Sequence, residues 1–124
     1  MTTSLMLLVA AVFNWVVALA LFFAAPAFLD LFSAAPVPEQ TLWVQQFAGL
    51  VFFFGVGYYQ ASRDFDANRN IIRLAVWAKF GVVLIGVLNV ILGDISWHFL
   101  IPASADGIFA VLFLIALKSP VAKA

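Results

Sequence analysis

Two ionisable side chains stand deep inside otherwise apolar runs, Lys79 and Asp106, and an amide, Asn14, stands in a third. A charge within such a run costs a few kcal/mol to place in lipid and marks a candidate functional position. Counted at 1.5 Å per residue from the run ends that share one side of the membrane, Lys79 lies roughly 12 Å deep, Asp106, counted back from Leu117, roughly 16 Å, and Asn14, counted from Ser4, roughly 15 Å. The spacing therefore predicts one polar layer, with a Lys79–Asp106 ion pair at its centre. Such a pair can fix helix register, relay a proton or anchor a ligand.

Small residues share the faces of these groups: Ala10, Ala11 and Ala18 beside Asn14, Ala103 and Ala110 beside Asp106, and Gly86 beside Lys79. Small side chains let helices approach closely in lipid, where polar groups can then bond across the interface. A second set, Gln45, Gln46, Asn89, Asp94 and His98, clusters toward the other ends of the same runs. It reads as interhelical hydrogen bonding, or as a polar vestibule in which His98 titrates near neutrality. On the second run, Gln46, Gly49, Phe53, Val56 and Gln60 recur at three- and four-residue steps and define one face.

Much chemistry is excluded. The chain has no cysteine and one histidine, which removes disulfides, thiolate catalysis and a histidine-rich metal site. Ser62, Ser96 and Ser104 have no histidine at supportive spacing except His98, and Arg63–Asn70 lacks a glycine-rich phosphate loop. A net charge of zero without a basic tail argues against nucleic acid. The expectation is a protein that is not an enzyme.

The elements that must position the polar layer follow from composition. Hydrophobic residues make up 66% of the 124 positions and charged residues 10%, against roughly half and a quarter in soluble domains. A chain this short cannot cover that much apolar surface in water, so its solvent is lipid. A span takes about 20 apolar residues, and four fit, at about 5–29, 41–60, 71–92 and 98–117. The first lacks the basic flank of a secretory signal and reads as a retained span. Thr2, Thr3 or Ser4 can cap it, and Pro26 should bend or end it.

Pro36 and Pro38 punctuate the first loop, Asp66 or Asn68 can cap the third helix, and Gly93-Asp94 ends it. Arg69 and Arg73 can meet lipid phosphates or the carboxylates of Asp64 and Asp66. Trp43, Tyr58, Tyr59 and Trp97 sit where interfacial aromatic belts fall. With short turns throughout, the expected fold is all-α, a single up-down-up-down four-helix membrane bundle. Arg63, Arg69 and Arg73 flank the second loop, and Lys118 and Lys123 lie in the tail, whereas the other loops hold only acidic charges. The positive-inside rule then places both termini in the cytoplasm of a bacterial inner membrane.

The run Gly55-Val-Gly57-Tyr58-Tyr59-Gln-Ala-Ser-Arg63-Asp64, followed by Asn68-Arg69, Leu74-Ala75 and Lys79, resembles the central hairpin of small bacterial four-span proteins of the DoxX-like group. The resemblance covers the middle third and the span count. It implies an accessory subunit of a quinone-linked oxidoreductase complex, and it assigns no role to any residue here. Fourteen Phe, four Trp and two Tyr suit a flat apolar ligand as well as lipid.

The functional expectation is a non-catalytic accessory or packing subunit of a larger membrane complex or homo-oligomer. It would hold a lipid or a flat apolar cofactor such as a quinone or carotenoid. The alternative is a small proton- or ion-coupled transporter that uses Lys79 and Asp106.

Overall fold

The computed structural model describes residues 2–32, 34 and 39–121, which are mostly helical. Pro36, Pro38 and Lys123, named above in the first loop and the tail, lie outside the described residues. Among the described residues five α-helices are formed: α1 (Thr3–Phe23), α2 (Ala25–Leu31), α3 (Thr41–Arg63), α4 (Arg69–Ile91) and α5 (Leu100–Leu117). Four segments are long and apolar enough to cross a membrane, beginning at Thr3, Thr41, Asp66 and Trp97. The chain is a multi-pass, all-α membrane bundle.

Local chemistry sets the ends. The Thr2 hydroxyl caps α1 by accepting from the Leu5 amide at 3.1 Å. The first span, expected to continue to about residue 29, breaks at Ala24, whose backbone leaves the helical region at φ −136°, ψ 38°. Proline lacks an N–H and its ring collides with the preceding turn, so the helix stops two residues before Pro26. It restarts as α2 with Pro26 in the first turn, where a missing donor costs nothing.

Asn68 takes the N-cap position of α4, but its side chain donates back to the Asp64 carbonyl at 2.7 Å. Asp66 instead holds Arg69 at 2.6 Å. Gly93 ends α4 at φ +80°, the left-handed conformation that glycine adopts without strain. At α5, the Ser96 hydroxyl caps a short turn, Trp97–Phe99, that leads into the helix.

The helices pack as two antiparallel pairs, α1 with α3 and α4 with α5. The Ser4 hydroxyl donates to the Ser62 carbonyl, which ties the start of α1 to the end of α3. Arg69 does the same for α4 and the end of α5. Lipid tails are as apolar as leucine, so burial alone does not drive helices together and close packing must. Ala10, Ala11, Ala61, Ala75 and Ala110 are fully buried accordingly.

The two pairs meet at the end that carries the α3–α4 turn, in a core of Leu7, Tyr58, Ile72, Val76, Phe113 and their neighbours. Large apolar residues such as Val16, Phe53, Trp77, Ile85 and Ile108 point outward, as a lipid environment requires.

A candidate ligand cavity floored by an ion pair

Beyond that core the two pairs part and enclose a cavity of about 500 Å³. Its walls come from every helix: Phe13, Val17 and Leu21 of α1, Phe28 and Leu29 of α2, Trp43, Phe47, Val51 and Phe54 of α3, Val82 of α4, and Pro102 and Ala103 of α5. The short helix after the Ala24 break thus becomes part of the wall. Four polar side chains lie among the lining residues, Asn14, Tyr58, Lys79 and Asp106, and they form the floor above the packed core.

The floor is anchored by helix starts that differ slightly from the sequence expectation. Because α4 begins at Arg69, Lys79 lies roughly 15 Å along it. Asp106 lies roughly 16 Å from the Leu117 end of α5, and Asn14 roughly 16 Å from the start of α1. The three are level, and the Lys79–Asp106 pair needs no long reach.

Lys79 Nζ donates to Asp106 Oδ1 at 2.5 Å. The same ammonium lies 5.3 Å from the centroid of the Tyr58 ring and 5.6 Å from that of Phe109, both within cation–π range. Its surroundings are thus a carboxylate and two ring faces, and 6% of its side chain is accessible against 25% for Asp106. Tyr58 is held edge-on against Phe113 at 5.0 Å. Asn14 Nδ2 donates to the Val51 carbonyl at 3.0 Å. The floor is therefore charge-neutral, internally bonded, and most accessible at Asp106.

The second polar set is dispersed. Gln45 is half-buried, Gln46 exposed, and Asp94 exposed. Asn89 donates to the Ile85 carbonyl of its own helix at 2.8 Å. His98 bonds the Ser96 hydroxyl through Nδ1 at 2.7 Å and stacks on Trp97 at 4.1 Å. No hydrogen bond joins any two of these five among the described residues, and none lines the cavity. The reason lies in α3: its cavity face is Trp43, Val44, Phe47, Leu50, Val51, Phe54 and Tyr58, and the Gln46–Phe53–Gln60 face turns outward. The mouth of the cavity is apolar.

Three contributors play parts beyond those read from the sequence. Tyr58, read there as an interfacial aromatic, is part of the floor. Trp15 crosses to α3, its indole N–H donating to the Phe52 carbonyl at 3.2 Å. Arg69 is buried, donates to the carbonyls of Leu117, Ser119 and Pro120, and sits 4.7 Å over the Phe65 ring. It pins the α4–α5 pair at the packed end.

Among the described residues, no group of three or more His, Asp or Glu gathers in metal-ligating range. No family model, curated protein or solved structure matches the chain.

Proposed function

We propose that this chain is a non-catalytic protein of a bacterial inner membrane that holds a lipid-like or flat apolar ligand between its helices. In this reading it serves as an accessory subunit of a larger membrane complex or of a homo-oligomer. The observation that carries the reading is the cavity. Its volume falls in the range of about 300–1,000 Å³ usual for small-molecule sites, and its composition is apolar walls with a few convergent polar groups. The resemblance to the DoxX-like group lends it no further weight, because no family model matches.

The test is to isolate the protein in mild detergent, extract it with organic solvent and identify what copurifies by mass spectrometry. A single apolar compound near one equivalent is expected, reduced in a folded Val82→Phe variant that fills the cavity. Bulk membrane lipid alone, unchanged in that variant, would sink the reading.

One observation favours a second reading: the Lys79–Asp106 pair lies on the cavity surface, where a coupling ion or proton could reach it. A transporter would show gradient-dependent uptake in reconstituted vesicles, and the uptake would vanish in a folded Asp106→Asn variant. That result would displace the accessory-subunit reading.

A further inference from the structure

We infer that the ligand of this cavity is a neutral long-chain alcohol, a hydrocarbon body with one hydroxyl that donates to the free carboxylate oxygen of Asp106. The inference rests on the cavity-binding reading and narrows its ligand class.

Charge comes first. Lys79 and Asp106 neutralise each other at the floor, and no other formally charged residue lines the cavity. A fatty-acid carboxylate, a phosphate or an amine would bring a charge with no counter-charge left to meet it. Burying an unpaired charge costs several kcal/mol, more than a single apolar chain contact returns. The end of the ligand that meets the floor is therefore neutral.

Hydrogen-bond valence comes second. Lys79 occupies Asp106 Oδ1, and among the described residues no protein group donates to the other oxygen. Lys79 itself is enclosed by the carboxylate and the rings of Tyr58 and Phe109. At Asp106 the floor therefore presents a ligand with an acceptor, since an ionised carboxylate only accepts. A quinone offers carbonyl acceptors alone; it can accept from the Tyr58 hydroxyl but leaves the Asp106 oxygen without a donor. A carotene offers no donor and leaves that carboxylate oxygen without a partner among apolar walls, which is costly. A hydroxyl supplies the missing donor.

The walls complete the description. Phe13, Val17, Phe47, Phe54 and Val82 offer hydrocarbon surface above the floor and no polar group to compete for the hydroxyl. The ligand is oriented with its polar end at Asp106 and its body toward the mouth.

The test uses the full chain in mild detergent, stripped of copurifying lipid, and measures retention of radiolabelled hexadecanol. Unlabelled hexadecanol should compete about tenfold better than hexadecyl methyl ether, the factor expected for one hydrogen bond to a charged group. Palmitate and a hexadecyl-substituted benzoquinone should do no better than the ether. In the Lys79→Met/Asp106→Leu double variant, alcohol and ether should become equivalent while both still bind. Equal competition by alcohol and ether in the unmodified protein overturns the alcohol inference and leaves cavity binding standing. Folded protein that retains none of the four compounds overturns both. The competition in the unmodified protein decides the matter even if the double variant does not fold.

Discussion

Trp15 lies across Gly55 so closely that a Cβ atom at that glycine would fall 2.7 Å from the indole nitrogen. The Ala11 carbonyl would lie 3.2 Å from the same atom, and backbone cannot yield as a side chain can. Gly55 is thus the point where α1 and α3 come into near contact, and the Trp15 hydrogen bond to Phe52 depends on it. Gly55→Ala should cost about 1–3 kcal/mol, the usual range for overpacking, and should shift Trp fluorescence. Gly49→Ala on the same helix meets nothing within 4 Å and should be neutral or stabilising. Thermal unfolding in detergent compares the two, and equal effects would refute the close approach.

Lys79 and Asp106 should be energetically coupled. Removing one partner of a buried pair costs about 3–5 kcal/mol in soluble cores because the other charge is left uncompensated. Here the loss should fall toward the lower end, since the Asp106 side chain remains a quarter accessible. Lys79→Met and Asp106→Leu should each lower the unfolding temperature, and the double variant should recover much of the loss. Losses that merely add would mean that the pair observed at 2.5 Å contributes no coupling.

Arg69 should be intolerant even of lysine. Its fork serves three backbone carbonyls at the end of α5 together with the Asp66 carboxylate, and a lysine ammonium cannot span that set. Arg69→Lys should therefore release the segment after Leu117, seen as faster amide exchange at residues 117–121. Arg73, which is exposed and bonds only Asn70 among the described residues, serves as the control. Arg73→Lys should leave exchange unchanged.

Much of this architecture is legible in the sequence because hydropathy and depth are local quantities. The four spans follow from apolar runs, and the Lys79–Asp106 pair follows from counting residues along two consecutive helices. The buried alanines around Asn14 and Asp106 follow from helical periodicity. What escapes the sequence is set by distant geometry. Arg69 is bonded mainly to main-chain carbonyls, which every residue possesses, so no residue type advertises the partners. The cavity exists because two hairpins that meet at Tyr58, Ile72 and Phe113 part beyond Lys79, and that divergence has no local code. The outer polar residues share a level but not a face, because α3 turns its aromatic side inward.

Topology offers a further prediction. Arg63, Arg69, Arg73 and Lys118 all lie at the packed end, together with the Thr2 end of α1, while the opposite end carries Glu39 and Asp94. Insertion is decided by Lys and Arg close to the span ends, before tertiary contacts form, so the burial of Arg69 in the folded chain does not remove it from the count. Reporter fusions within Arg63–Asn70 and after Lys118 should be cytoplasmic, and a fusion at Glu39 periplasmic. Replacing Arg63 and Arg73 by Ala together should weaken this bias and yield a mixed population, while single replacements should not. A periplasmic signal from the Arg63–Asn70 loop would invert the bundle. The cavity mouth would then face the cytoplasmic leaflet, and its ligand would have to enter from that side.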